Sequence, residues 1–210
     1  MVNAKIPSRR DYFKELAKGM PADALVVTCL GNSSYLWAAI NDRPENFYFE
    51  DAMGLALPFA LGLASAQPDR RVIVVEGDGG LLMHMGALAT VGAVAPDNLT
   101  IILMQNGVHA ASGGQPLTNQ GLDLAAVAQS LGLARAKTVT STRELKIALT
   151  EMLDRKGPEF IAAKLEPDLQ VVQPPYPFNP VVTKTRFSRA IDAPHYIPAI
   201  FGVGRMESLD

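Results

Sequence analysis

Apolar and polar positions along this chain switch repeatedly between two periods. Near the N-terminus, Tyr12, Phe13 and Leu16 form a stripe at helical spacing behind Ser8 and Asp11, which together read as a helix start. Short, nearly continuous apolar runs follow at residues 24–29, 47–49, 71–75, 99–104 and 160–165. Each is short enough to be a strand, and the first, third and fourth are stopped by Gly31, Gly77 and Asn106-Gly107. Between them, residues 53–66 predict a buried helix of small side chains. Residues 81–94 predict another, ended by Pro96. Leu124, Val127, Ala128 and Leu131 fall at helical spacing. Ser141 with Glu144 makes a capping box in front of Leu145, Ala148, Leu149 and Met152. Strands that are apolar throughout are buried on both faces, as a parallel sheet covered by helices requires. The prediction is a doubly wound α/β fold with a parallel sheet and helices on both faces.

The rhythm stops at Glu166. Beyond it come Pro167, Pro174, Pro175, Pro177, Pro180, Pro194 and Pro198, with little periodicity between them. The chain thus divides into a domain over residues 1–166 and an irregular, extended C-terminal tail over 167–210. A tail of this kind cannot build its own core, so it drapes over the domain or orders against another chain.

Composition narrows the function classes. A chain of 210 residues suits one α/β domain, and an apolar share of 48% is enough for a substantial core. The net charge of -2 comes without any Lys/Arg cluster, so neither nucleic acid nor a membrane surface is expected as a partner. The start of the sequence lacks the apolar segment of a signal peptide. The stretch 53–66 is interrupted by Gly54, Pro58 and Gly62 and falls short of the ~20 residues of a membrane span. Cys29 is the single cysteine, which excludes an intrachain disulfide and argues against cysteine-held zinc or iron–sulfur sites. A cytoplasmic protein is expected.

Candidate chemistry concentrates at Gly77-Asp78-Gly79-Gly80, between the strand at 71–75 and the helix after it. Ligands of parallel sheets bind beyond the carboxyl ends of the strands. Glycines there let the backbone approach a ligand, but an aspartate would repel a bare phosphate unless a metal ion lay between them. Asn106 ends the next strand and would point into the same crevice. Hard oxygen donors, one of them charged, together with phosphate oxygens suit Mg²⁺. Taken singly, Gly-Asp-Gly and Asn-Gly are common turns; it is their placement at two strand ends that carries the signal.

The stretch from Gly77-Asp78-Gly79 to Asn106 resembles the thiamine-diphosphate motif, which begins with Gly-Asp-Gly and ends in Asn, with Gln105 here in place of a preceding Asn. The resemblance implies thiamine diphosphate and Mg²⁺ as cofactors. Asp78, the Asn106 side chain and the Val108 carbonyl would bind the metal, and Gly79 and Gly80 would donate backbone N–H groups to the diphosphate. Residues 51–58 resemble the preceding segment of the decarboxylase and acetohydroxyacid synthase branch. There Met53 takes the place of the apolar wedge under the cofactor, and the Asp51 carbonyl that of the acceptor for the pyrimidine amino group. Gly31-Asn32-Ser33-Ser34 matches a loop that contacts the diphosphate. The run from Asn106 to Pro116 is similar to a loop of phosphonopyruvate and sulfopyruvate decarboxylases, which puts His109 where a substrate carboxylate is met. Histidine there is also able to shuttle a proton near neutral pH. From spacing alone Met53 is a core methionine, and His84 and Glu76 have local structural roles.

The family activates its cofactor with a glutamate from a second, pyrimidine-binding domain, for which this chain has no room. The resemblance therefore implies a separate α subunit carrying that glutamate, with this chain as the β subunit of a decarboxylase acting on a small 2-oxo acid. Three alternatives stay open: a carboligase subunit of the acetohydroxyacid synthase kind, the β subunit of a 2-oxoacid:ferredoxin oxidoreductase, and a non-catalytic binding subunit. Cys29 standing alone argues against the second, and an intact Asp78/Asn106 pair against the third.

Overall fold

The computed structural model describes residues 6–167, 169–170 and 172–193, so Pro194 and Pro198 lie outside the described residues. Along the chain run α1 (Arg9–Gly19), β1 (Leu25–Thr28), α2 (Asn32–Asn41), β2 (Asn46–Tyr48), α3 (Ala56–Ala66), β3 (Val72–Gly77), α4 (Asp78–Met83) and α5 (Gly86–Val94). There follow β4 (Leu99–Gln105), β5 (Val108–His109), β6 (Gln115–Pro116), α6 (Leu124–Ser130), β7 (Arg135–Val139), α7 (Thr142–Leu153), β8 (Glu159–Lys164) and α8 (Pro180–Ala190). Six strands make one parallel sheet in the order β2-β1-β3-β4-β8-β7. The strand order reverses between β1 and β3, the place where sheets of this class bind ligands.

The two faces follow from the period of two in the strands. In β3, Val72 and Val74 face a core shared with α3, α5 and α6, whereas Ile73 and Val75 face one shared with α1, α2 and α7. Each fully buried side chain of this kind contributes about 1.5–3 kcal/mol relative to exposure. The expected doubly wound sheet with helices on both faces is the fold observed. Both expected helix starts are present: Ser8 and Asp11 cap α1 reciprocally, and the Ser141 hydroxyl accepts the Glu144 N–H at α7. Among the described residues no helix is long and apolar enough to cross a membrane.

Several elements differ from expectation. The helix expected over 53–66 starts at Ala56, because residues 51–55 form turns in which Gly54 has φ +74°. The helix expected over 81–94 starts earlier, at Asp78, and breaks after Met83 into α4 and α5. Residues 32–41, including Asn32, Ser33 and Ser34 of the expected loop, form a full helix. Strand β7 was not expected: Arg135 and Lys137 interrupt its apolar pattern, as befits a sheet edge.

The tail also contains order that its prolines hide. Asn179 caps α8 by accepting the N–H groups of Val181 and Val182, and Pro180 occupies the first turn, where it lacks no needed donor. Phe187 of α8 is buried edge-on against Phe47, with ring centroids 5.4 Å apart. Arg186 pairs with Asp42 at 3.0 Å. Between the sheet and α8, Phe178 packs on Tyr35 and Tyr48. The described part of the tail drapes over its own domain, and α8 corrects the expectation of a wholly irregular segment.

Candidate functional site

Parallel pairing carries β3 and β4 to the same level, with Gly77 opposite Met104. The next residues along each strand bring Asp78 and Asn106 out at neighbouring strand ends. On the other side of β3, β1 ends at Thr28, and the N–H of Cys29 still bonds the Val75 carbonyl at 2.8 Å. A cavity of about 170 Å³ opens above these three strand ends. Its wall includes Asn32, Ser33, Met53, Gly77, Asp78, Gly79, Gly80, Asn106, Val108 and His109. Most of the residues singled out from the sequence are therefore brought together by the fold. Gly31 and Asp51 are not part of the wall: Gly31 starts α2 with φ +71°, and Asp51 is exposed.

Asp78 is only 2% exposed. Its two carboxylate oxygens accept the N–H groups of Gly79 at 3.0 Å and Gly107 at 2.7 Å. Burial raises its pKa, and those amides and the Arg9 guanidinium oppose the rise. The Asn106 Oδ1 accepts the Val108 N–H at 3.1 Å, which fixes the amide at the strand end. The loop beyond is held by the small β5–β6 ribbon, which pairs His109 with Gln115. The His109 ring lies directly over Gly79: a Cβ on Gly79 would come within 2.7 Å of it, so glycine is required for this approach.

Glu76 is buried at the inner wall. Its Oε1 accepts the Gly77 N–H at 3.0 Å, whereas Oε2 makes no hydrogen bond of ordinary length. Burial pushes its pKa up to about 7, opposed by the Gly77 amide, the Leu57 and Ala56 amides at the start of α3, and the Cys29 thiol. The carboxyl thus faces a helix start that no side chain caps, consistent with a local structural role. Burial, reinforced by Glu76, lifts the Cys29 thiol to about 12, so it stays protonated and unreactive. His84 is exposed, and its Nδ1 lies 3.1 Å from the Gly54 carbonyl, tying α4 to the turn that carries Met53.

Met53 is 40% exposed at the cavity, which corrects the reading of it as a core methionine. Leu55, two residues further on, and Met83, the last residue of α4, are also exposed, outside the cavity wall. The Asn32 side chain is engaged with the tail, donating to the Gln170 carbonyl at 2.8 Å and accepting the Val172 N–H at 2.9 Å. Arg9 was missed by the sequence reading. It lines the cavity, is 6% exposed and donates to the Ser33 hydroxyl at 2.7 Å. The signal for it lay in helical phase: Arg9 stands at i, i+3, i+4, i+7 with Tyr12, Phe13 and Leu16, on the buried stripe.

Comparison with known proteins identifies the family. The family described as "Thiamine pyrophosphate enzyme, C-terminal TPP binding domain" matches residues 30–163. The chain is 40% identical over 165 residues to a phosphonopyruvate decarboxylase of Streptomyces viridochromogenes, covering 79% of this chain and 41% of that protein. It thus spans about two fifths of the length of that relative. It is 32% identical over 186 residues to the sulfopyruvate decarboxylase subunit beta of Methanocaldococcus jannaschii, covering 88% of this chain and 97% of that one. In fold it is similar to benzoylformate decarboxylase from Polynucleobacter necessarius, with a TM-score of 0.69 at 21% identity over 78% of this chain and 34% of that one. With the family match extending over more than half of its residues, the chain belongs to the thiamine pyrophosphate enzymes, in their C-terminal TPP-binding domain.

Proposed function

We propose that this chain is the metal- and diphosphate-binding β subunit of a cytoplasmic thiamine-diphosphate-dependent decarboxylase of small 2-oxo acids. In this reading a separate α subunit supplies the pyrimidine-binding domain and its activating glutamate. The observation that carries the reading is the single cavity that takes in Asp78, Asn106, Gly79, Gly80 and His109 at the reversal of strand order. The near-complete overlap with a sulfopyruvate decarboxylase subunit beta supports the two-chain arrangement.

The donor set fits the implied metal. Among the described residues no group of three His, Cys, Asp or Glu side chains could hold a cation by itself. One buried carboxylate, one amide oxygen and the Val108 carbonyl leave positions for phosphate oxygens and water, which is the coordination Mg²⁺ favours. Asp78 would hold the charge of the metal, and a cation beside it would lower the carboxyl pKa that burial raises. Gly79 and Gly80 would present their backbone to the diphosphate from the cavity wall; a Cβ on Gly79 would meet the His109 ring, and one on Gly80 the Glu76 carboxylate. When bound, thiamine diphosphate supplies the electron sink for loss of the 2-oxo acid carboxylate. His109 would orient that carboxylate and move a proton at its imidazole.

The test is to co-purify the chain with its α partner and supply Mg²⁺, thiamine diphosphate and, separately, pyruvate, phosphonopyruvate and sulfopyruvate. Release of CO₂ with one aldehyde product is expected for at least one acid. A ligated hydroxyketo acid as the main product would replace decarboxylation by carboligation.

Met53 would take the place of the apolar wedge under the cofactor. Because it is already 40% exposed, Met53→Ala should change stability by no more than about 0.5 kcal/mol while lowering kcat of the assembled enzyme severalfold. Thermal melts and steady-state kinetics on the same preparations decide this. A collapse in Tm with normal specific activity would return Met53 to a packing role.

A further inference from the structure

We propose that Arg9 is a diphosphate-binding residue, reaching the site from α1 on the β1 side of the cavity while Asp78 and Asn106 serve it from β3 and β4. The proposal rests on the thiamine-diphosphate reading above and adds to it a cation from outside the motif.

Three observations carry it. First, the side chain is placed rather than loose. The reciprocal Ser8–Asp11 cap fixes the start of α1, so helical phase turns Arg9 inward with Tyr12 and Phe13 and leaves Arg10 exposed. Second, a guanidinium that is 6% exposed nonetheless lines the cavity, together with Ser33, to whose hydroxyl it donates at 2.7 Å. Ser33 lies in the first turn of the ten-residue helix α2, whose cap position, Gly31, offers no side-chain acceptor to the first-turn N–H groups. Arg9 therefore stands beside a cluster of donors in a concave wall. Third, the charge of the site needs it. A diphosphate carries more negative charge than one divalent ion neutralises, and Asp78 adds another negative charge to the same wall. Arginine meets phosphate oxygens through a planar fork of donors, and a site shielded from water strengthens such charge-assisted bonds.

The experiment uses the full chain, with binding measured by isothermal titration of Mg²⁺-pyrophosphate and of Mg²⁺-thiamine diphosphate. Arg9→Gln should weaken both by about tenfold or more, and Arg9→Lys should recover part of the loss. Ser33→Ala, which removes one of the guanidinium's partners but keeps the charge, should weaken both by a smaller factor. In the unsubstituted protein, the side-chain N–H resonances of Arg9 should shift on addition of Mg²⁺-pyrophosphate, a readout that holds even where Arg9→Gln does not fold. Wild-type binding with unchanged affinity in a folded Arg9→Gln protein, or Arg9 resonances that do not move, would overturn the proposal while leaving the cofactor assignment intact. Unchanged cofactor affinity with a raised KM for the 2-oxo acid in the assembled enzyme would also overturn it, by giving Arg9 to the substrate carboxylate. Failure of the wild-type protein to bind either ligand would instead remove the thiamine-diphosphate reading itself.

Discussion

Replacing Asp78 by alanine is expected to abolish retention of thiamine diphosphate and Mg²⁺, with affinity falling at least about a hundredfold, beyond the usual cost of losing a group that merely supports a metal ligand. The expectation follows from how the carboxylate is held. It is buried at the end of β3 and accepts the N–H groups of Gly79 and Gly107, so both its position and its orientation are fixed before any ligand arrives. Burial alone raises its pKa, which means that the ionised form is costly until a cation sits beside it. Removing it takes away the charged member of a small oxygen donor set and leaves the diphosphate charge poorly neutralised. It also leaves two amides without an acceptor, at about 1–3 kcal/mol each where they stay buried. Asp78→Asn separates the two effects. An asparagine keeps one oxygen for the amides but carries no charge, so it should fold close to normally and still lose the metal. Titration calorimetry with Mg²⁺ and thiamine diphosphate, alongside thermal melts, is the measurement. Ordinary cofactor affinity in Asp78→Ala would remove the metal assignment.

The second large effect concerns the chain by itself. Supplied with thiamine diphosphate and Mg²⁺ but no partner, it should exchange the cofactor C2 proton no faster than free cofactor does, as followed by NMR, and the α subunit should restore exchange. On the proposed reading, the acid that activates this proton would belong to a pyrimidine-binding domain on the partner. Glu76 is the glutamate in the cavity wall, but it faces the Gly77 amide and the start of α3. Glu50 lies close to Met53 in sequence. Its carboxyl pKa is raised by burial and by Asp51, and it is not part of the cavity wall. Met53, exposed in the cavity wall, would be apolar surface of the kind expected where half of a site's wall comes from another protein. Enzyme-like exchange rates in the lone chain would mean that Glu50 or Glu76 does this work. Glu76→Gln and Glu50→Gln would then identify which, and the split-enzyme proposal would be withdrawn.

The sequence by itself determined the central sheet and the ligand end of it. Residues 71–75 and 99–104 are apolar at every position or nearly so, and only strands buried on both faces sustain such runs, so β3 and β4 were legible with their stops. Those stops are Gly77-Asp78 and Asn106, which is why the core of the candidate site was legible with the fold. The caps at Ser8 and Ser141 were readable for a similar reason: they act within one helical turn. What depended on distant neighbours was not readable. Strand β7 has Arg135 and Lys137 in its run because an edge strand leaves them room at the surface, Arg135 also reaching the buried Glu159 of β8 at 3.2 Å. Helix α8 forms behind a proline-rich stretch because Phe187 finds the pocket beside Phe47. Met53 has the composition of a core residue but sits at an open cavity, since its turn is held away from the core by Gly54 packing on Gly80 and His84. Arg9 has the composition of a surface residue but is buried, since the stripe it shares with Tyr12 and Phe13 is pressed against the end of the sheet. Periodicity reports which face of an element turns inward. Whether that face meets a packed core, an edge or a cavity is decided by elements far away in the chain, and only the tertiary structure brings those together.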